Sequence, residues 1–297
     1  MNKQMRIFLF HGVVREHRHR LRNYTRKHLS VDEFVRFIRN TIKLYHPVTM
    51  DDCLEACLGK SDLPPQSFAV TFDDGFENNA LVAAPILADL GLPATFYLTT
   101  GFVGTDLGSW TDEIESALEE DTATEICGFG KGIDGRYETV EEKQALMENI
   151  RQTVKSDPAI DPYEYSKELV KAMGPREIDS CRELDAKLTW DQVRELDEEP
   201  LFTVGGHGHT HRILSYLGHD ELVDEIGMSL KLIEEAVGHP SIHYSYPEGM
   251  PSCYSPEVIR VLKQFGVRCC TTAIAGFNEF HSDPFELRRI QVDGSEV

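Results

Sequence analysis

A chain of 297 residues is long enough for one large α/β domain or two small ones, so core size sets no limit on its fold. Its 30 Lys and Arg stand against 50 Asp and Glu, and a formal charge of -20 opposes the phosphate attraction on which nucleic-acid binding depends, so no nucleic acid is expected as a partner. The opening MNKQMRIFLFHGVV lacks the apolar h-region and small-residue cleavage site of a signal peptide, and no segment is long enough to span a bilayer. Seven cysteines (Cys53, Cys57, Cys127, Cys181, Cys253, Cys269 and Cys270) form an odd set without a C-x-x-C pair, which suits reduced thiols. These features together predict a cytoplasmic protein.

In chain order, short apolar runs alternate with helical patterns, the signature of repeated βα units around a parallel sheet, so the fold class is α/β. The predicted strands are RIFLFH (6–11), FAVTF (68–72), ATFYLTT (94–100), LFTVGG (201–206), IHYSYP (242–247), VRCCTTA (267–273) and ELRRIQV (286–292). Between them, Ser30 with Glu33 three residues on is a capping box for a helix that buries Phe34, Phe37 and Ile38. A helix from Asn79 to Leu90 stops at Gly91, and Ser255-Pro256 opens another that Gly266 ends. Gly104 to Lys187 breaks the rhythm: it is rich in Glu and Asp, reads as several helices without a strand, and is predicted as an insertion in a single domain spanning 1–297. Such an insertion can shape substrate access or simply pack against the outside.

Three groups fall at the C-terminal ends of predicted strands, where α/β folds place their sites. Thr71-Phe72-Asp73-Asp74-Gly75 offers adjacent carboxylates that point in different directions, so one can ligate a metal while the other faces a water as base. Asp-Asp-Gly also fits a plain turn. Gly206-His207-Gly208-His209-Thr210-His211 places His207 and His211 four apart, which on a helical turn brings both imidazoles to one side and sends His209 elsewhere. Two histidines and one carboxylate leave positions open for water and substrate, as catalytic rather than structural zinc sites do. Tyr244-Ser245-Tyr246-Pro247-Glu248-Gly249 ends a further strand, and its Pro-x-Gly turn can expose a backbone N–H to a developing oxyanion.

With these motifs in this order, the chain resembles the polysaccharide deacetylases of carbohydrate esterase family 4. The resemblance extends to the opening F-H-G-V-V, the segment P-I-L-A-D-L-G-L-P-A-T-F-Y-L and the closing D-P-F-E-L-R-R-I. It implies a distorted (β/α)7 barrel with the helical insertion, in accord with the seven predicted strands. It implies that Asp73 is the catalytic base, that Asp74, His207 and His211 bind a divalent metal, and that the Glu248 N–H is an oxyanion donor. Family members supply a general-acid His from a Leu-x-x-x-His motif that is absent here, and His281 lacks that context. His11, at the end of the first strand, stands where a permuted arrangement draws its acid. Ser245 replaces the Arg that holds the base in many members, a role open to Arg289. Tyr246, Pro247 and Arg289, with Trp110 and Asp112, are the expected substrate-binding residues; Trp110-Thr111-Asp112 and Leu188-Thr189-Trp190 resemble groove-flanking segments, although buried Trp packing explains them as well.

The function expected from the resemblance is hydrolysis of an N-acetyl group from an amino sugar, on a glycan or an activated nucleotide- or lipid-linked precursor, in surface-polysaccharide biosynthesis. The His2Asp set suits zinc first, with cobalt and nickel also matching the donors. Two alternatives are a deformylase or other C–N hydrolase on the same fold, and a glycan-binding protein whose site has decayed.

Overall fold

The computed structural model describes residues 4–15, 19–119, 123–130, 132–175 and 181–294. The chain divides into two compact units, the first built from 1–15, 27–107 and 186–297 and the second from 16–26 and 108–185.

The first unit is a curled parallel sheet. Seven of its nine described strands are β1 (Gln4–Phe10), β2 (Ser67–Phe72), β3 (Ala94–Leu98), β4 (Phe202–Gly206), β5 (His243–Ser245), β6 (Cys269–Thr271) and β7 (Ile290–Gln291), one for each predicted strand; two-residue strands at His46–Pro47, parallel to β2, and Asn278–Glu279, antiparallel to β1, were not predicted. The order runs β6-β5-β4-β3-β2-β1, with β7 parallel to β1 on the far edge. Leu287, just before β7, pairs with Thr271 at the opposite edge, and Thr272 N donates to Leu287 O at 2.8 Å. The segment from Leu287 to Gln291 therefore touches both edges of the sheet, which gives the distorted barrel. Strands covered on both faces read as continuous apolar runs, and β2 and β3 are buried at every position.

Side-chain alternation sorts these strands into two faces. Outward, Phe10, Phe72 and Phe96 stack at centroid distances of 5.3 and 5.1 Å, and Phe34 of helix α1 (Val31–Thr41) packs edge-on against Phe10. The Ser30–Glu33 capping box that starts α1 is formed as predicted. Inward, Met5, Ile7, Ala69, Cys269 and Leu287 form an apolar floor with Met50, Cys53 and Leu54 of helix α2 (Met50–Cys57). All seven cysteines are free thiols, and Cys269 and Cys270 are buried.

The predicted 79–90 helix has an unexpected first turn, of π type over Asn79–Ala83, before helix α3 (Ala84–Asp89) ends at left-handed Gly91. Pro85 has no N–H to give to the Leu81 carbonyl four residues back, and Arg15 Nη2 donates to that oxygen at 3.3 Å instead. Helix α10 (Pro256–Gln264) has its Ser255 cap as expected; helices α8 (Trp190–Glu198) and α9 (His219–Val237) complete the unit's long helical cover.

The second unit has its own core, in which Trp110, Ile114 and Leu118 of helix α4 (Trp110–Leu118) meet Leu146, Met147 and Ile150 of α5 (Val140–Ser156) and Leu169 of α6 (Pro162–Ala172); the one-turn helix α7 (Arg182–Asp185) ends the unit. Residues 19–26 were not expected to join it. Glu119 fastens them by accepting the N–H groups of Arg20, Leu21 and Arg22 at 2.8–2.9 Å. A hairpin of Thr124–Ile126 with Gly135–Tyr137 also departs from the strand-free expectation; it is three residues per strand, too short for a period of two to stand out. Among the described residues no helix is long and apolar enough to cross a membrane.

Candidate active site

The three motifs meet at the C-terminal ends of β1, β2, β4 and β5. Asp73 N donates to Phe10 O at 3.0 Å, which brings the end of β2 beside His11. Asn79 Nδ2 holds the His11 carbonyl at 2.8 Å. After β4, His207 N donates to Leu98 O, Thr100 N to Gly208 O and Gly101 N to His209 O, so the histidine loop extends the β3–β4 ladder past the strands. A Cβ on Gly101 would lie 2.4 Å from His209 O, so this approach needs glycine.

The histidine pair is not on a helical turn. The chain from His207 to Ile213 is irregular, and left-handed φ values of 81° at Gly208 and 58° at His211 fold it back. The ring centroids of His207 and His211 lie 5.0 Å apart. His209 does point elsewhere, with Nδ1 at 3.0 Å from Thr100 Oγ1. Asp74 (φ 74°) and Glu248 (φ 61°) are also left-handed. Each such non-glycine residue costs about 1–2 kcal/mol, and three of the seven in the described chain sit here, where surrounding hydrogen bonds hold the strain.

Donor atoms of Asp74, His207 and His211 all lie within 4.8 Å of one another. Asp74 Oδ1 is 3.4 Å from His207 Nε2 and 3.3 Å from His211 Nε2. His207 Nδ1 is 2.8 Å from the Ser245 carbonyl, an atom that only accepts; Nδ1 therefore carries the hydrogen and Nε2 is left with its lone pair for an ion. One carboxylate oxygen and two imidazole nitrogens make a donor set that fits a zinc-like ion and leaves positions open. Two residues that hold this set carried no sequence motif. Lys27 Nζ pairs with Asp74 Oδ2 at 2.7 Å. Glu225 of α9 accepts His209 N at 2.7 Å, Thr210 N at 2.6 Å and Thr210 Oγ1 at 2.8 Å, clamping the loop between the two histidines. Glu225 was detectable in principle, since it falls on the stripe of Leu222, Ile226 and Ser229 that α9 buries. Lys27 gave no such signal.

Asp73 is anchored from behind. Arg289 Nη1 donates to Oδ1 at 2.8 Å and Nη2 to Oδ2 at 2.6 Å, a two-pronged pair, while Ser245 Oγ donates to Oδ2 at 3.2 Å. Arg289 enters the barrel two residues after Leu287, hence on the same inward face and one layer higher. Burial alone would raise the Asp73 carboxyl, but the Arg289 guanidinium, with His207 beside it, holds it below the usual carboxylate range. Asp74 is held well below that range against burial, chiefly by Lys27 and then by hydrogen bonds to the two imidazoles. Burial pushes His11 down to about 4, opposed by the Asp74 and Asp73 charges and assisted by Lys27 and Arg289.

The remaining expected residues are placed as follows. His281 lies beside the N-terminal end of β1, where Glu279 pairs with Gln4, about 20 Å of strand away from His11. Arg289 is 1% exposed and Tyr246 is fully buried with its hydroxyl donating to Phe285 O, so neither side chain offers a ligand any surface; Arg289 takes the base-holding position instead. Pro247 is buried behind Gly208, and Glu248 is half-buried. Trp110 is a core residue of the second unit, 5% exposed, and Asp112 lies in the first turn of α4 close enough to act on Arg22. Those two belong to a different unit from the cluster around Asp73. Leu188 is buried, donating to Gly75 O at 3.0 Å, and Trp190 packs over Gly104.

A family profile described as "Polysaccharide deacetylase" matches residues 60–134 and 163–270. Comparison with curated proteins returned no sequence match. Among solved structures, the chain is similar to IcaB from Ammonifex degensii, with a TM-score of 0.63 and 16% identity over 98% of this chain and 92% of that one. It is similar to the deacetylase PplD of Streptococcus pyogenes, with a TM-score of 0.62 and 14% identity over 98% and 93%. A de-N-acetylase from Aggregatibacter actinomycetemcomitans matches with a TM-score of 0.61 and 16% identity over 98% and 96%. At these identities the structural likeness concerns the fold.

Proposed function

Because the chain belongs to the polysaccharide deacetylase family, we propose that it hydrolyses the N-acetyl group of an amino sugar with the help of a divalent cation held by Asp74, His207 and His211. The observation that carries this reading is the convergence of those three donors beside an ionised, Arg-anchored Asp73. When bound, such an ion supplies positive charge that polarises the acyl carbonyl and acidifies a water; zinc suits the donor set first, and cobalt or nickel also match it.

Asp73 is the proposed base. Arg289 keeps it charged and directs its lone pairs, at the cost of some basicity. The Glu248 N–H, turned by a left-handed backbone, is the proposed donor to the oxyanion that develops on the acyl oxygen. His11 is the proposed proton carrier to the leaving amine. With its imidazole held down at about 4, it is neutral near pH 7 and must take up a proton within the cycle before it passes one to the leaving amine; Asp73, holding the proton removed from the attacking water, is the proposed source. In sum, a C–O bond forms to water and the C–N bond breaks; both water protons end on the nitrogen, so acetate and an ammonium group on the sugar are the products near pH 7.

The proposed substrate is an N-acetylamino sugar on a nucleotide, a lipid or a short oligosaccharide, met inside the cell during surface-polysaccharide assembly. A decayed, glycan-binding reading draws on Ser245 and on the absent Leu-x-x-x-His motif; the Arg289 fork on Asp73 supplies a cation in place of the first, and His11 is the proposed substitute for the second. The test is metal content together with acetate release from a panel of N-acetylamino sugar conjugates, for the wild type, Asp73→Asn and His207→Ala. The reading expects metal-dependent acetate release by the wild type, metal without turnover in Asp73→Asn, and neither in His207→Ala. Formate in place of acetate would make it a deformylase, and a wild type that takes up no metal when resupplied would end the metal-assisted reading.

A further inference from the structure

The two oxygens of Asp74 are divided between two kinds of partner. Oδ1 faces His207 Nε2 and His211 Nε2, while Oδ2 is 2.7 Å from Lys27 Nζ. Lys27 is delivered to that position by built structure: its carbonyl accepts Gly12 N at 3.4 Å, the next residues pair in parallel as His28–Ser30 with Gly12–Val14, and its ammonium lies 4.8 Å over the buried Phe76 ring. Its side chain is one-fifth exposed, so its charge is only partly screened.

We infer that Lys27 is a positioning residue that confines Asp74 to one metal-binding oxygen and weakens the site's hold on its cation. Three consequences follow from charge and geometry, and all rest on the metal reading above. With Oδ2 occupied by Lys27, Asp74 would offer an ion Oδ1 alone, so the carboxylate could not chelate it with both oxygens. An ammonium close to the carboxylate repels an incoming dication, so the ion binds less tightly than a bare His2Asp set would hold it. Without the ion, the same ammonium compensates a buried carboxylate, so the ligand set stays assembled and ready for exchange.

The test is Zn2+ affinity, by competition with a chromogenic chelator, and melting temperature of the metal-free protein, for the wild type, Lys27→Met, Lys27→Gln and Lys27→Arg. Lys27→Met keeps the stem and removes the charge; Lys27→Gln is the second neutral variant should the first fail to fold. In the neutral variants the Zn2+ dissociation constant is expected to fall at least tenfold, about 1.4 kcal/mol, while the metal-free melting temperature also falls. Lys27→Arg is expected within about threefold of the wild type, about half of the tenfold step in free energy. Tighter metal with lower metal-free stability is a pattern that simple structural damage does not produce, because damage loosens both. An affinity in the neutral variants equal to or weaker than that of the wild type overturns the inference. A folded wild type that binds no Zn2+ marks instead the failure of the metal reading, and this inference falls with it.

Discussion

The floor and the mouth of the barrel are made by the same strands, a few residues apart, and differ in nearly every physical property. At the floor, Met5, Ile7, Ala69, Cys269 and Leu287 pack as an apolar layer. Two to four residues further along, on the same inward face, stand Thr71, Asp73, Ser245 and Arg289, joined by hydrogen bonds of 2.6–3.2 Å. The floor tolerates imperfection because dispersion contacts are many and weak. At the mouth a few charge-assisted contacts carry everything, and losing one leaves a buried charge behind. Stability and chemistry are thus stacked along one axis rather than mixed.

Asp73→Asn is the substitution that separates the two ends furthest. Turnover should fall by about 100- to 10,000-fold, the usual worth of a general base, with metal content unchanged; a residual rate within a few-fold of the wild type would remove Asp73 from the base role. Arg289→Met strips the counter-charge from a buried carboxylate and should cost about 3–5 kcal/mol of stability in denaturant unfolding. A loss under about 1 kcal/mol would mean that solvent reaches Asp73, since exposed pairs are worth no more than that. At the floor, Ile7→Ala should cost about 2–4 kcal/mol yet leave the KM unchanged and metal content intact; a changed KM would show that floor and mouth are coupled. Glu225→Ala, which orphans two backbone N–H groups of the histidine loop, should cost about 1–3 kcal/mol and loosen metal binding, whereas Glu225→Gln can still accept both and should restore most of it.

The smallest effect is in pH dependence. Asp73 is held below its ordinary range in the folded chain, so the stability its pair contributes is fully present above the unfolded carboxyl value of about 3.9 and is lost as pH falls through the lower folded value. Unfolding followed from pH 7 to pH 3 should therefore show less acid sensitivity in Arg289→Met than in the wild type. Equal slopes would place the acid-sensitive group elsewhere.

Much of the mouth was legible from residue order alone. TFDDG, the histidines and the Y-P-x-G turn each follow an apolar run, and parallel βα units put strand ends together without further information. The reading of Arg289 as holder of the base came from the resemblance, because Ser245 stands where many family members have Arg; the buried carboxylate does need such a cation. What failed was the local geometry of the histidine loop: four-residue spacing suggested a helical turn, whereas left-handed Gly208 and His211 supply the fold-back. Tyr246 and Trp110 were ambiguous in the sequence, since an aromatic side chain serves a sugar or a core equally well, and both side chains are buried. Residues 19–26 joined the second unit through three backbone N–H groups on Glu119, a contact that spans nearly 100 positions and leaves no pattern in the chain.

By itself the sequence determined the α/β class, the seven main strands, the helix caps at Ser30 and Ser255 and the residue types that gather at the strand ends, because periodicity, capping and turn chemistry are local properties. Only the tertiary structure decided which oxygen of Asp74 meets Lys27, how Glu225 clamps the histidine loop and how Arg289 grips Asp73. Those contacts join residues 15 to 216 positions apart, and their strength depends on distances of a few tenths of an ångström that packing, not spacing, sets.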